Sequence, residues 1–308
     1  MSDIEPNNRP YRGRFAPSPT GPLHFGSLVC AVASYLQAKS QGGEWLLRME
    51  DIDPPREPEG AAEDILRTLE AYALFWDQPV LYQSTRRDAY EEALLRLDQQ
   101  KLTYPCTCSR KQIREAANRA RNNMYPETCR GKGFTRSPHA IRVLTEFQDI
   151  QLDDLVQGVY SHNIRQHVGD FVVKRVDGYY AYQLAVVIDD AEQNITEIVR
   201  GSDLLDNTPR QIYLQQLLDY PQPQYVHIPI ATKNGDKMSK QTKAPPVRFS
   251  NPVETGVQVL RFLGQNIPDQ WQWASIEELW LWAIGHWDLS AVPKVLSREH
   301  TEYTQKPK

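Results

Sequence analysis

The chain has 308 residues, with 35 Lys and Arg, 39 Asp and Glu, and a formal net charge of −4. This length predicts about two domains, and a hydrophobic content of 40% with balanced charges excludes a wholly disordered or fibrous chain. No apolar run approaches the ~20 residues that span a bilayer, and four unevenly spaced cysteines form no disulfide framework, so we expect a cytoplasmic protein with no membrane partner.

The first hundred residues alternate between predicted strands and helices. Residues 1–10 are polar and are expected to form a flexible tail. A short strand then leads through a Pro/Gly-rich turn into a helix over residues 28–36, and a strand over residues 45–49 follows. A later helix is predicted to be capped by Asp88. This alternation predicts an α/β fold with a Rossmann-like parallel sheet, whose first half is residues 11–105.

The alternation stops over residues 106–190, which hold three cysteines and β-like runs at 171–176 and 184–188. It returns over residues 191–245, with strands predicted over residues 195–200 and 225–231 and a helix over residues 208–218. This pattern predicts one parallel sheet interrupted by an inserted domain. Residues 246–308 are predicted to form a short helical unit.

That helical unit includes one helix with a clear start signal. Ser275 and Glu278 form a capping box in front of an apolar stripe with helical spacing.

Charge is distributed unevenly along the chain. Residues 44–98 carry 14 acidic and 6 basic side chains, whereas residues 101–136 carry 9 basic and 2 acidic ones. Each block could be an ordinary solvated surface. The basic block could equally contact a phosphate backbone, because nucleic-acid affinity is largely electrostatic. Charge alone does not separate these two interpretations.

Two short motifs favour a phosphate-bearing ligand. Residues 17–27 read Pro-Ser-Pro-Thr-Gly-Pro-Leu-His-Phe-Gly-Ser and lead from a strand into a helix, whose free amides and dipole favour phosphate. His24 in this turn can donate to a phosphoryl oxygen. The second motif, Lys237-Met-Ser-Lys240, suits charge stabilisation of a polyphosphate. Each motif is weak alone, since a histidine in such a turn is more often structural and Lys/Ser-rich loops are common.

In this order, the two motifs resemble the signatures of class I aminoacyl-tRNA synthetases, and the first resembles the glutamate branch. The resemblance covers residues 11 to 245 and is carried by four segments: Arg14-Phe-Ala-Pro-Ser-Pro-Thr-Gly-Pro-Leu-His24, Arg48-Met-Glu-Asp-Ile-Asp53, Ile198-Val-Arg-Gly-Ser-Asp203 and the lysine motif, together with Tyr182. Two positions depart from the pattern. Ser27 replaces the second histidine of the turn, and Gln241 follows the lysine motif where Ser or Arg is usual.

The resemblance implies a glutamate site next to an ATP site. Guanidinium groups can form bidentate forks to carboxylates, and a carboxylate can pair with the α-ammonium. The implied glutamate-binding residues are Arg14, Phe15, Ala16, Pro17, Ser18, Glu50, Tyr182 and Arg200. The implied ATP-binding residues are His24, Gly26 and Lys240, and the implied catalytic residues are His24, Lys237 and Lys240, acting with Mg²⁺.

Three cysteines close together in the chain predict a metal site. Cys106, Cys108 and Cys129 offer soft thiolates, which select zinc, and a structural zinc has four ligands. The alternative is a set of reduced thiols without metal. Cys30 lies in an apolar helix and is expected to be a core residue. The resemblance supplies Tyr125 as the fourth ligand, through the step Tyr125-Pro-Glu-Thr-Cys129.

Only 67 residues follow Gln241, which are too few for a large anticodon-reading domain. This outline and the cysteine pattern resemble the glutamyl-queuosine tRNA(Asp) synthetases. The resemblance implies a zinc-containing acceptor-type insertion, a helical stem-contact-like unit at the C-terminus, and a monomer. It further implies that glutamate is activated by ATP without tRNA and is transferred to queuosine in the anticodon loop of tRNA(Asp).

Three other functions stay open. The chain could be a shortened glutamyl-tRNA synthetase that charges the 3′ end of tRNA(Glu), or an inactive paralogue that binds RNA. It could also be a nucleotidyltransferase or amide ligase of the same superfamily, which the implied glutamate site disfavours.

Overall fold

The computed structural model describes residues 10–120, 125–133, 139–238, 245–247, 249–268 and 272–300. Most of the predicted tail, together with Lys240 and Gln241, lies outside the described residues. Within the described ranges, every helix is too short or too polar to cross a bilayer.

The described residues form strands and helices in alternation over most of the chain. The strands are β1 Arg12–Phe15, β2 Glu44–Met49, β3 Leu81–Tyr82, β4 Thr103–Cys106, β5 Ala140–Val143, β6 Asp149–Asp154, β7 Gly158–Asn163, β8 Val172–Lys174, β9 Glu197–Gly201, β10 Gln224–Ile228, β11 Ile230–Lys233, β12 Asp236–Lys237 and β13 Ser297–Glu299. The α-helices are α1 Phe25–Ser40, α2 Ala61–Ala71, α3 Arg87–Gln99, α4 Arg110–Ala120, α5 Ile164–His167, α6 Tyr182–Glu192, α7 Thr208–Leu218, α8 Pro252–Phe262 and α9 Ile276–His286.

The central feature is a parallel sheet built from both halves of the chain. Strand β2 pairs in parallel with β1 and β3, and β10 pairs in parallel with β9 and, at one position, with β6. The two halves meet where the Thr196 amide donates to the Arg12 carbonyl at 2.9 Å. The order is therefore β3-β2-β1-β9-β10-β6, and the predicted α/β fold with a parallel sheet is confirmed.

Two smaller sheets flank the central one. Strands β4, β5 and β8 form an antiparallel sheet, and β4 ends at Cys106. Strand β11 pairs with β12 in antiparallel fashion and with β13 in parallel fashion. Strand β13 was not predicted, because the sequence after Gln241 indicated helices alone.

Helix α1 is buried along most of its length and packs beneath the parallel sheet. Leu28, Val32 and Leu36 are fully buried in one apolar core with Trp45 of β2. Helices α8 and α9 close the same core, and the Trp280 indole donates to the Tyr72 carbonyl at 2.6 Å. This core fixes the turn before α1, and so fixes the first motif.

Two local predictions were wrong. Residues 184–188 were predicted to be β-like, but they lie in α6, where all five are buried. A short run of consecutive apolar residues cannot distinguish a buried strand from a helix that is buried on all sides. Asp88 was predicted to cap α3, but this helix begins at Arg87, so Asp88 lies in its first turn.

One helix start was predicted correctly. The Ser275 hydroxyl accepts from the Glu278 amide at 3.3 Å and caps α9, as the capping box predicted.

Candidate active site

A cleft of about 320 Å³ lies where β1, β2 and β9 end and α1 begins. Ligands of open α/β sheets bind at this edge, beyond the carboxyl ends of the strands. The cleft brings together eleven of the residues singled out in the sequence: Arg14, Phe15, Ala16, Pro17, Ser18, His24, Gly26, Glu50, Tyr182, Arg200 and Lys237. Lys240 lies outside the described residues.

His24 caps the N-terminus of α1. Its Nδ1 accepts from the Ser27 amide at 3.2 Å, so the ring proton of the neutral imidazole lies on Nε2. Nε2 lies 3.1 Å from the Ser27 hydroxyl, to which it donates. Ser27, where the family pattern has a second histidine, therefore orients His24 beside the first amides of the helix.

The two motifs meet at Gly26. A Cβ at this position would lie 3.2 Å from the His24 ring and 3.4 Å from the Met238 carbonyl oxygen. The chain beyond the lysine motif returns to the same turn, because the Val247 amide donates to the Leu23 carbonyl at 3.0 Å. The two segments that together resembled a nucleotide site are thus neighbours in space.

Lys237 reaches the cleft from β12. Its ammonium lies 2.6 Å from a carboxylate oxygen of Asp203, which follows β9. Asp203 was noted in the sequence without a role. The pair places a cation at the cleft and holds it with a partly exposed carboxylate.

Arg14 is buried and is held by an acid that sequence reasoning missed. Its Nε and Nη2 donate to the two oxygens of Asp190 at 3.0 and 3.3 Å, and Arg48 also contacts Asp190 at 2.8 Å. Burial opposes ionisation of Asp190, but Arg14 and Arg48 together hold its pKa below the usual range. The fork of Arg14 is therefore occupied by Asp190, which corrects the expectation of a fork that faces a ligand.

The signal for Asp190 was present in the sequence. Asp189 and Asp190 interrupt an otherwise apolar run in α6, and a buried carboxylate needs a cationic or donor partner. Arg48, in the buried strand β2, is the second cationic partner of Asp190, after Arg14.

Glu50 follows β2 and faces the same cleft. It is 7% exposed, and its Oε1 lies 3.6 Å from Nη2 of Arg48. Burial raises the pKa of Glu50 to about 7, although Arg48 and Arg14 oppose the rise. A carboxyl group in this state gains most from a cationic ligand, since an ammonium group favours its ionised form.

Arg200 is held by a relay that sequence reasoning also missed. Its Nε donates to His227 Nε2 at 3.0 Å, and His227 Nδ1 lies 2.6 Å from Asp154 Oδ2. Because Nε2 accepts, the ring proton lies on Nδ1 and points to Asp154. Burial lowers the pKa of His227 and keeps the ring neutral.

One nitrogen of Arg200 is left for a ligand. Nη2 donates to the Thr208 hydroxyl at 2.7 Å, whereas Nη1 is buried without a hydrogen-bond partner among the described residues. Tyr182 lies in the same cleft, and burial raises the pKa of its phenol, which stays protonated. Both groups can donate to an acidic ligand.

The three predicted cysteine ligands lie together at the end of β4 and in the turn at residues 128–130. The Sγ atoms of Cys106, Cys108 and Cys129 all lie within 4.8 Å of one another. The Tyr125 hydroxyl lies 3.3 Å from Cys106 Sγ and 3.6 Å from Cys108 Sγ. Ligand atoms of a tetrahedral zinc with thiolate bonds lie about 3.8 Å apart, so these four residues fit such an ion.

Protonation differs within the cluster, since burial raises the pKa of Cys108 to about 11 and raises that of Tyr125 as well, whereas the pKa of Cys129 is lowered. Burial opposes ionisation, but hydrogen bonds from Tyr125, Thr107 and Cys108 lower the pKa of Cys129 to about 7. The thiolate is the form that binds zinc.

Comparisons with known proteins identify the family of the chain. Residues 11–257 match the family of tRNA synthetases class I (E and Q), catalytic domain. The glutamyl-Q tRNA(Asp) synthetase of Dechloromonas aromatica is 52% identical, with 93% of this chain and 97% of that protein covered. The protein of the same name from Neisseria meningitidis is 51% identical, with 92% and 98% covered.

Two solved structures of glutamate-tRNA synthetases have a similar fold. A glutamate tRNA ligase from Elizabethkingia meningosepticum, crystallised in complex with its amino acid, has a TM-score of 0.80 and 25% identity, with 96% of this chain and 68% of that chain covered. The glutamate-tRNA synthetase of Elizabethkingia anophelis has the same TM-score and identity, with 95% and 68% covered. The chain therefore belongs to the class I tRNA synthetase (E and Q) family and, within it, to the family of glutamyl-Q tRNA(Asp) synthetases.

Proposed function

We propose that this chain activates L-glutamate with ATP in the absence of tRNA and transfers the glutamate to queuosine in the anticodon loop of tRNA(Asp). The observation that carries this proposal is the convergence of both motifs and the implied glutamate residues on one cleft. Family members that are about half identical over nearly the whole chain have the name glutamyl-Q tRNA(Asp) synthetase, which supports the transfer step.

Glutamate binds with its charges matched by the cleft. Nη1 of Arg200 donates to one carboxylate of the ligand, because it is the buried donor without a protein partner among the described residues. Arg14 adds positive charge behind it, and Glu50 pairs with the α-ammonium. Ser18 and Tyr182 donate from the walls, and Phe15, Ala16 and Pro17 form the floor.

Activation joins the α-carboxylate to the nucleotide. An α-carboxylate oxygen attacks the α-phosphorus of ATP, the bond from that phosphorus to the bridging oxygen breaks, and pyrophosphate leaves. The backbone at Gly26 and the first amides of α1 hold the phosphates, and His24 Nε2 exchanges the Ser27 hydroxyl for a phosphate oxygen. Lys237 and Lys240 stabilise the charge that develops, for which Lys237 exchanges Asp203 for phosphate. Mg²⁺ bound with ATP would supply further neutralisation of the phosphates.

Transfer then consumes the mixed anhydride. A hydroxyl of the cyclopentenediol of queuosine attacks the glutamyl carbonyl carbon, an ester forms, and AMP leaves. The proton of that hydroxyl is released, so the step needs no further reactant.

The inserted region acts as an RNA-contacting domain with a structural zinc. Cys106, Cys108, Tyr125 and Cys129 would hold the ion, and its chemistry would be structural, because these residues come from the end of β4 and the turn at residues 128–130. Helix α4 follows this site, with Arg110 and Lys111 exposed, and such a basic surface suits a phosphate backbone.

The proposed domain plan follows from this role. Residues 106–190 form the insertion between the catalytic segments 11–105 and 191–245, although they also supply β6 to the parallel sheet and Tyr182 to the cleft. Residues 246–308 form a stem-contact-like unit that is helical apart from β13. We place the protein in the cytoplasm, because its substrates are found there. We further propose that it acts as a monomer.

One assay separates this function from the alternatives. The protein is given ATP, labelled glutamate, and tRNA(Asp) with or without queuosine, or tRNA(Glu). We expect label on queuosine-containing tRNA(Asp) alone. Label that ignores queuosine, or that appears on tRNA(Glu), indicates a shortened glutamyl-tRNA synthetase, and absence of ATP–pyrophosphate exchange indicates an inactive paralogue.

A further inference from the structure

A second cleft, of about 410 Å³, lies next to the glutamate cleft along the chain. Glu50 lines the first cleft, and Asp51, the next residue, lines the second. Similarly, Tyr182 lines the first cleft and Tyr180 lines the second. We call this second space the side cleft. The segment leaving β2 and the segment entering α6 therefore separate it from the proposed glutamate site.

One residue that lines the side cleft, Gln83, carries a buried hydrogen-bond acceptor. Gln83 is 1% exposed, and its Nε2 donates to Asp189 Oδ2 at 2.7 Å. That bond fixes the orientation of the Gln83 amide. The amide oxygen, Oε1, has no hydrogen-bond partner within the described part of the chain. A buried acceptor without a partner is unfavourable, so the site calls for a ligand that donates an N–H or an O–H.

Asp51 adds negative charge to the same space. Both of its oxygens accept from Ser84, the amide at 2.8 Å and the hydroxyl at 2.6 Å. Across the described ranges, no cationic side chain lies within ion-pair distance of Asp51, whereas Asp177 on the far wall is paired with Arg175. The carboxylate of Asp51 is thus oriented by neutral donors and is available to a cation.

The side cleft also offers an aromatic ring and one cation. Tyr179, in the turn after β8, is 36% exposed, with the Arg175 guanidinium carbon 5.7 Å from the centre of its ring. The other face of the ring is a stacking surface for a planar ligand. Arg87 lies on the α3 side, where it contacts the Tyr180 phenol. A ligand for this lining is planar, carries several hydrogen-bond donors and has a positive charge near its donors.

We propose that the side cleft binds the modified base that accepts glutamate, a 7-deazapurine carrying a secondary ammonium and a vicinal diol. This inference rests on the proposed function and names its acceptor site. The base stacks on Tyr179, its ammonium group pairs with Asp51, and a donor of the base or its side chain satisfies Gln83. Bases of single-stranded loops are commonly turned out and stacked on aromatic side chains in this way.

The position of the side cleft fits a transfer reaction. The diol extends beyond the ammonium group, and Asp51 is joined directly to Glu50 of the glutamate cleft. For transfer, the diol must therefore pass the segment at Glu50 and Asp51 that separates the two clefts, and it is the part of the base nearest to that segment when the ammonium group pairs with Asp51. The adenylate itself forms in the first cleft and makes no use of the side cleft.

The test measures activation and transfer separately in the full-length protein. Activation is followed as ATP–pyrophosphate exchange without tRNA, and transfer as single-turnover glutamylation of queuosine-containing tRNA(Asp). Asp51→Asn removes the charge and keeps the shape, and Tyr179→Ala removes the ring. Each is expected to leave exchange within about twofold and to raise the tRNA concentration for half-maximal transfer about tenfold.

Matched controls lie on the exposed surface of the same half of the molecule. Asp64→Asn removes a carboxylate of α2, and Phe75→Ala removes a ring that is 56% exposed. Neither control is expected to change exchange or transfer.

Each other outcome overturns the assignment in a distinct way. If the variants transfer glutamate normally, the assignment of the side cleft is wrong but the proposed function is not affected. Variants of Asp51 and Tyr179 that lose exchange and transfer together place these residues in activation, which also overturns the assignment. Wild-type protein that activates glutamate but leaves queuosine unmodified overturns the proposed function and this site with it.

Discussion

The two arginines of the glutamate cleft are held by protein acceptors before any ligand binds. Asp190 occupies Nε and Nη2 of Arg14, and His227 and Thr208 occupy the same two atoms of Arg200. Holding a guanidinium group in one place reduces the entropy that its ligand must remove. The glutamate site is therefore largely preorganised, and the residues that orient it matter as much as those that touch the ligand.

Asp154→Asn tests the relay behind Arg200. The new amide donates to His227 Nδ1, which moves the ring proton to Nε2 and sets two donors, Nε2–H and the Arg200 Nε–H, against each other. A hydrogen bond to a charged group contributes about 1.5–3 kcal/mol. We therefore expect the KM for glutamate in pyrophosphate exchange to rise about tenfold or more, while the KM for ATP stays the same.

Asp153→Asn is the matched control, since Asp153 is the exposed neighbour on the same strand. Equal KM values for glutamate in the two variants would show that His227 does not position Arg200.

Glu50 makes glutamate binding depend on pH. Its pKa lies at about 7, and the carboxylate is the form that pairs with the ammonium of the ligand. Protonation on the acid side therefore weakens binding, by about tenfold between pH 8 and pH 6 for one group with this pKa. Calorimetric titration with glutamate measures this change directly, and a flat profile in the wild-type protein would contradict it. In Glu50→Gln the affinity is lower and no longer varies over this range.

The cysteine cluster makes a prediction about the segment from β4 to the turn at residues 128–130. Metal analysis should find one zinc per chain in the wild-type protein and in Cys30→Ala, because Cys30 lies apart in α1. Cys129→Ser should lose most of the zinc, since it replaces a thiolate with a poor ligand. A chelator should lower the melting temperature of the wild-type protein and of Cys30→Ala but not that of Cys129→Ser, and an equal zinc content in Cys129→Ser would refute the site.

The elements were predictable where periodicity or chemistry marks their ends. Helix α7 begins and ends at Thr208 and Leu218, as its pattern predicted, and Ser275 marks the start of α9. The run at residues 184–188 carries no such mark, since a fully buried helix has no polar face. The predicted strand over residues 225–231 is divided into β10 and β11, with Pro229 between them.

The site residues that lie in sequence motifs were predictable, whereas the buried residues that hold them in place were not. Arg14, Glu50 and Arg200 occur in segments with a recognisable pattern. Asp190, His227 and Asp154 come from three distant parts of the chain, and only the fold brings them together. Buried partners of this kind leave a weak signal in one sequence, namely a charged residue inside an apolar run.

The packing of the molecule as a whole depends on close contact between α8 and α9. A Cβ on Gly256 would lie 2.7 Å from Leu279 Cδ2 and 3.0 Å from Ile276 Cδ1. Overpacking costs about 1–3 kcal/mol, whereas a better helix former than glycine returns less than about 1 kcal/mol. Gly256→Val should therefore lower the free energy of unfolding by about 2 kcal/mol, as measured by urea denaturation.

Gly285→Val provides the comparison, because no atom lies within 4 Å of a Cβ at that position of α9. Its stability should change by less than about 0.5 kcal/mol. Equal losses in both variants would show that helix packing is not the cause.

Strand β13 ties the C-terminal part of the chain to the turn that precedes Lys237. The Glu299 carboxylate accepts from the Thr232 hydroxyl at 2.8 Å and from the amide of Asn234. An acidic residue some sixty positions downstream thus shapes the approach to a lysine at the phosphate end of the cleft. A chimaera that exchanges the C-terminal unit for that of a relative must import both partners of this contact, or it will misplace a reactive cation without touching the catalytic segment itself.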